Sequence, residues 1–157
     1  MNWKKEIDEM TRRRKLALGQ GGDQAVANHH AKGRLTIRER IDKLIDQNTF
    51  EEIGPIAGAA NYDENGNLES FDPANFVLGF GKVSGRRIVV GGEDFTMRGG
   101  SPSPAGLRKS VYAEEIAIQY KLPLVRLHEG SGGSVGGTSG KGVSLPGPVN
   151  APARFKS

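Results

Sequence analysis

An α/β fold entered through a helical arm is what this sequence predicts, on three observations. Two apolar runs, Phe76–Val83 and Arg87–Gly92, flank Ser84-Gly85-Arg86, the pattern of a β-hairpin. Residues 105–120 then read as a helix, and Pro123–Leu127 as a short buried strand running into a long glycine-rich stretch. Hairpin, helix, strand and glycine loop in that order open an α/β layer, whereas the residues before 49 carry only helical patterns.

Residues 2–18 are predicted as a charged helix with Trp3, Ile7, Met10 and Leu18 on an apolar stripe, ended by Gly19-Gln20-Gly21-Gly22. A second short helix is predicted from Asp23 to His30. A third begins after Thr36, whose spacing to Glu39 is that of a capping box; it gathers Ile37, Ile41, Leu44 and Ile45 on one face. Past Asn48 the pattern shortens into strands, with Phe50–Ile53 as an edge strand and Asp63-Glu-Asn-Gly-Asn67 as a turn. That turn is not an EF-hand loop, because Gly66 comes two residues too early. In the helix at 105–120, Leu107, Val111 and Ile118 lie on one side and Ile116, Ala117 and Tyr120 on another, as in a helix packed between layers. From Gly130 to Ser157 no periodic segment follows to cover the last strand. The expected organisation is therefore a helical arm over 1–48 and an incomplete α/β domain over 49–157.

Composition bounds the function. The chain has 157 residues, 25% charged and 36% hydrophobic, as in one ordinary globular domain. No apolar run approaches the ~18 residues of a membrane span, so none is expected. With no cysteine, disulfides and thiol chemistry are excluded. The N-terminus has no apolar core of a signal peptide, and Glu6, Asp8 and Glu9 argue against a transit peptide; a cytoplasmic location is expected. Residues 1–40 carry ten Lys/Arg against five Asp/Glu, so the net charge of +4 is local to the arm. Only Trp3 accompanies Arg12, Arg13, Arg14 and Lys15, which favours a solvated helix face over a nucleic-acid surface. His29 and His30, about 100° apart on a helix, read as a surface pair, and no metal site is expected.

His128-Glu-Gly-Ser-Gly-Gly-Ser-Val-Gly-Gly-Thr-Ser-Gly-Lys-Gly142 carries the chemistry. Glycines after a strand let backbone N–H groups approach a phosphate or a developing oxyanion. The phosphate-binding pattern before Gly140-Lys141 fails at Val135 and Gly142, and dinucleotide spacing fails from both Gly79 and Gly130. Gly132-Gly-Ser-Val-Gly136 matches a nucleophile elbow, which makes Ser134 of a serine hydrolase the alternative reading, but no Asp, Glu or His follows Ser134. His128 and Glu129, adjacent at a strand end, point to opposite faces, and either one can orient the loop or act as an acid or base.

Gly33-Arg-Leu-Thr-Ile-Arg-Glu-Arg-Ile-Asp-Lys-Leu-Ile-Asp46, Thr49-Phe-Glu-Glu-Ile-Gly54, Val77-Leu-Gly-Phe-Gly-Lys-Val-Ser-Gly-Arg-Arg-Ile-Val-Val90 and Glu93-Asp-Phe-Thr-Met-Arg-Gly-Gly-Ser101 occur in sequence order. Together they resemble the opening of the carboxyltransferase (beta) subunits of biotin-dependent acyl-CoA carboxylases. The likeness runs from about residue 30 to about 137; at the loop many relatives read Asp-Ser-Gly-Gly-Ala-Arg where this chain has Glu129-Gly-Ser-Gly-Gly-Ser-Val135. The resemblance implies a crotonase-like α/β fold and transfer of a carboxyl group from carboxybiotin to the α-carbon of an acyl-CoA. It implies Gly132, Gly133 and Ser134 in the acyl-CoA thioester region, with Gly99 and Gly100 as a second contribution, and no assignable catalytic side chain. It further implies biotin on a separate carrier, biotin carboxylase and biotin carboxyl carrier components as partners, and a homo-oligomer. The isolated chain is expected to be inactive; decarboxylation of a malonyl-type CoA would be the reverse chemistry. The non-enzyme alternative is an assembly fragment that contacts a partner through the arm.

Overall fold

Both faces of one β-hairpin are apolar, and the fold is organised around covering them. The computed structural model describes residues 3–130. Its elements are α1 (Lys4–Leu18), α2 (Asp23–His30), α3 (Ile37–Leu44), β1 (Glu51–Glu52), β2 (Gly58–Tyr62), β3 (Leu68–Pro73), β4 (Phe76–Val83), β5 (Arg86–Glu93), a 3-10 turn (Arg98–Gly100), α4 (Pro104–Tyr120) and β6 (Leu124–Arg126). The main sheet has the order β1-β4-β5-β6, and β2-β3 form a separate antiparallel pair. β4 and β5 pair from Phe76↔Glu93 to Val83↔Arg86, so the turn is Ser84-Gly85 alone (φ 50° and 77°) and Arg86 belongs to the strand.

Side chains alternate across a strand, and this alternation builds two cores. Val77, Ile88 and Val90 meet Ile37, Ile41 and Ile45 of the α3 region on one face. Phe76, Leu78 and Val89 meet Ala113, Ile116 and Ala117 of α4 on the other. The hairpin therefore sits between two helical layers, which explains its nearly unbroken apolar sequence. α3 starts as expected: Thr36 Oγ1 accepts from Glu39 N, and the Glu39 carboxylate accepts from Thr36 N at 2.7 Å. α4 carries the chain from β5 to β6, which lies parallel to β5 with Val90 opposite Val125.

Several expectations change. β6 is half-buried along its length rather than fully buried, since it is the edge of the sheet among the described residues. β2 and β3 were not legible as strands; the Asp63–Asn67 turn joins them, and Asp63 Oδ1 accepts from Asn65 N and Asn67 N. α4 buries the side bearing Ala113, Ile116 and Ala117, while Tyr112, Ile118 and Tyr120 stay exposed, so one layer covers it among the described residues. In α1 the apolar stripe faces outward: Trp3, Ile7, Met10 and Leu18 are all exposed. Its inner face is polar. Arg12, itself exposed, donates to Leu68 O at 2.6 Å, and the half-buried Arg13 hydrogen-bonds Tyr62 Oη and lies over the Phe71 ring, so two of the four cations over 12–15 have partners on the β2–β3 unit while Arg14 and Lys15 stay exposed.

Candidate active site

In sheets with parallel strands, ligands bind beyond the carboxyl ends of those strands. The carboxyl end of β6 delivers Leu127-His-Glu-Gly130 to that position, and β5 beside it delivers Glu93. Leu127 N donates to Gly91 O at 2.9 Å. The backbone passes so close to β5 that a Cβ on Gly92 would collide with Leu127 O. Gly100, at φ +75°, lies against Glu129 in the same way: a Cβ there would strike the Glu129 carbonyl. These two glycines let the last described residues lie flat against the end of β5 and the 98–100 turn.

A cavity of about 390 Å³ opens there, lined among others by Asn75, Gly100, Pro102, Leu107, Ser110 and Gly130. Asn75, 1% exposed, fixes its floor: its side chain donates to Ser101 O at 2.7 Å and accepts from Ser103 N at 2.9 Å. Ser103 caps α4 by accepting from Gly106 N at 3.0 Å. On the rim, Glu93 lies 3.3 Å from His128 Nδ1 and 3.4 Å from Arg126 Nη2, and it accepts from Glu129 N at 3.4 Å. Arg126 also reaches Glu114 at 3.0 Å and Ser110 Oγ at 2.6 Å. Behind the rim, burial pushes the Asp94 carboxyl above its ordinary range, against the pull of hydrogen bonds from Thr96 N and Thr96 Oγ1. Deeper in the fold, Lys109 Nζ donates to Gly54 O at 3.2 Å, beside the Arg38–Glu52 bidentate pair. Burial pushes Lys109 down to about 8, with Glu52 opposing that shift and Arg38 adding to it.

The histidines and Glu129 hold the largest departure from the sequence reading. His30 is exposed and bonds Glu39 at 2.9 Å, as a surface residue should. His29 is not its surface twin: it is 4% exposed, stacks on Phe95 with centroids 5.5 Å apart, and lies 3.6 Å from Glu129 Oε2. Arg34 and Arg40 approach the same carboxylate at 3.7 and 3.4 Å. His128 and Glu129 do point apart, one to Glu93 and the other to the arm. Of the residues expected at the acyl-CoA region, Gly100 lines the cavity and Gly99 sits in the adjoining turn at φ 61°, while Gly132, Gly133 and Ser134 lie outside the described residues. Nothing in local spacing could have revealed His29, Arg34 and Arg40 as neighbours of Glu129, because even the nearest of them in sequence, Arg40, is 89 residues away.

The fold is an α/β layer with a cavity beyond the carboxyl ends of its parallel strands. Residues 28–145 match the carboxyl transferase domain, and the chain belongs to that family. It is 34% identical over 143 residues to the probable biotin-dependent acyl-coenzyme A carboxylase beta2 subunit of Mycobacterium tuberculosis, covering 90% of this chain and 25% of that protein. It is 33% identical over 136 residues to the propionyl-CoA carboxylase carboxyltransferase subunit of Haloferax mediterranei, covering 86% and 26%. The chain thus spans about a quarter of the length of these curated relatives. Among solved structures, the transcarboxylase 12S hexamer with methylmalonyl-coenzyme A bound superposes with a TM-score of 0.72 at 24% identity, covering 87% of this chain and 27% of that one. A single-chain, multi-domain long-chain acyl-CoA carboxylase gives 0.68 at 30% identity, covering 90% and 15%. The crotonase-like architecture expected from the sequence holds.

Proposed function

We propose that the whole protein containing this sequence is the carboxyltransferase component of a biotin-dependent acyl-CoA carboxylase. The observation that carries the reading is the cavity formed where the segment leading into the glycine-rich loop meets the Gly99–Gly100 turn, in a chain of this family. Removing a proton from the α-carbon of a thioester places negative charge on its oxygen. Backbone N–H donors fixed before the reaction stabilise such charge, each by about 3–4 kcal/mol. In this proposal Gly132 and Gly133 supply donors, Ser134 borders them, and Gly99-Gly100 shapes the opposite wall. Asn75 and Ser103 hold that wall rigid. Side chains at the two loop glycines would keep the thioester away from the N–H groups.

Carboxybiotin supplies the carboxyl group. The described residues form no wall that we assign to it, and the proposal gives the donor's pocket to other parts of the whole protein. Biotin carboxylase and biotin carboxyl carrier components are the proposed partners, in an oligomer, in a cytoplasm compatible with the absence of cysteine. The division into a helical arm (1–48) and the first part of a crotonase-like carboxyltransferase domain (49–157) is likewise proposed. The described chain has no helix long and apolar enough to cross a membrane.

The test incubates the whole protein with carboxybiotin, a panel of acyl-CoAs and, for the full system, labelled bicarbonate. Acyl-CoA-dependent loss of carboxybiotin is expected; no transfer to any acyl-CoA overturns the proposal. Labelling by a fluorophosphonate that disappears in Ser134→Ala would favour the hydrolase reading instead.

A further inference from the structure

We propose that Glu129 is a positioning residue, and that His29, Arg34 and Arg40 of the arm clamp it, so fixing the backbone that enters the glycine-rich loop. Its catalytic consequence rests on the carboxyltransferase reading; the clamp itself rests on geometry. Arg40 Nη1 reaches both Leu127 O at 3.3 Å and Glu129 Oε2 at 3.4 Å, so one guanidinium bridges the chain on either side of His128. His29 Nε2 lies 3.6 Å from the same Oε2 and 3.2 Å from Leu35 O. Arg34 approaches the other oxygen, Oε1, at 3.7 Å. Both carboxylate oxygens thus face cations of the arm, which suits a fixed anchor better than a group that must hand protons to a substrate.

Phe95 supplies the platform. His29 stacks on its ring, and the Arg34 guanidinium lies 5.4 Å from the ring centroid. Phe95 itself follows β5 and precedes the 98–100 turn, where Gly100 abuts the Glu129 carbonyl. On the opposite side Glu93 accepts from Glu129 N and faces His128. The segment 127–130 is therefore gripped through side chain, carbonyl and amide by three parts of the fold: the arm, the β5 end and the turn. A loop that must present N–H groups to within a few tenths of an ångström needs such support, because orientation governs what those donors contribute. The arm is then part of the active site rather than an attachment to it.

The experiment uses the whole protein and three variants: Glu129→Gln, which keeps size and removes charge, Glu129→Asp, and Arg34→Met at the half-exposed rim, where misfolding is least expected. Amide hydrogen exchange is read at residues 127–130 and, as a control, in β4 and β5. Kinetics of acyl-CoA-dependent carboxyl transfer are read alongside. Exchange at 127–130 should rise at least tenfold in Glu129→Gln and several-fold in Arg34→Met, with β4–β5 unchanged. kcat should fall at least tenfold in Glu129→Gln with a smaller change in KM, and Glu129→Asp should recover part of it. Unchanged exchange at 127–130 in both Glu129→Gln and Arg34→Met overturns the clamp. Raised exchange with unchanged kcat overturns its catalytic role. If the parent protein transfers no carboxyl group, the functional reading fails, while the exchange result still decides the clamp.

Discussion

Lys109→Met should make the protein more stable at neutral pH, with an advantage that disappears in alkali. Lys109 is 9% exposed, and its ammonium has one carbonyl partner, Gly54 O. Held at about 8 instead of 10.5, the charged form is disfavoured in the fold by about 3 kcal/mol. Below pH 8 folded and unfolded chains both carry the proton, and the whole penalty is present. Between about 8 and 10.5 the folded chain loses the proton first, so the unfolded chain binds more protons and stability rises with pH. Methionine keeps the length and the apolar stem, and gives up a hydrogen bond worth about 1 kcal/mol. The variant should therefore exceed its parent by about 2 kcal/mol at pH 7 and match it near pH 10. Urea unfolding of both proteins at the two pH values, followed by far-ultraviolet circular dichroism, measures this; subtraction removes the other titrating groups. A stability difference that is the same at pH 7 and pH 10 would refute the reasoning.

Ile41→Ala empties a site 2% exposed between α3 and the hairpin, and urea unfolding should show a loss of about 2–5 kcal/mol. Thr36→Ala removes half of the capping box and should cost about 1 kcal/mol, seen as a lower midpoint at unchanged slope. Gly100→Ala needs a left-handed alanine and drives its methyl into the Glu129 carbonyl. It should lower the melting temperature and, in the whole protein, abolish the acyl-CoA-dependent transfer proposed above; a variant with that transfer intact would remove the 98–100 turn from the proposed site.

How much of this could be read beforehand depended on whether the deciding contacts were local. α2 ends at the expected residues, and the capping box at Thr36 forms as spelled, because three or four adjacent residues determine each. The β4–β5 hairpin was equally legible, its Ser-Gly turn standing between apolar runs. β2 and β3 escaped because Gly58-Ala-Ala-Asn-Tyr62 and Leu68-Glu-Ser-Phe-Asp-Pro73 lack a strong apolar alternation and are specified mainly by pairing with each other. α1 is legible as a helix, but the face it turns inward is not: Arg12 and Arg13 have partners on the β2–β3 unit, while the apolar stripe stays exposed. His29 shows the same limit at the site. A histidine pair in a short helix looks exposed until Phe95 and Glu129, distant in sequence, enclose one member.

The span of the Arg40–Glu129 contact, 89 residues, also sets an order in time. On a ribosome adding about 5–20 residues per second, Arg40 waits roughly 4–18 s before its partner is synthesised. During that interval Ile37, Ile41 and Ile45 have no sheet to cover them until β4 and β5 emerge. α3 is made before its cover and docks only when β4 and β5 emerge, whereas the Arg40–Glu129 contact waits for the segment after β6. Stalled nascent chains ending before residue 80 should leave α3 open to protease, and protection should appear once β5 has cleared the exit tunnel; early protection would show that α3 finds another cover.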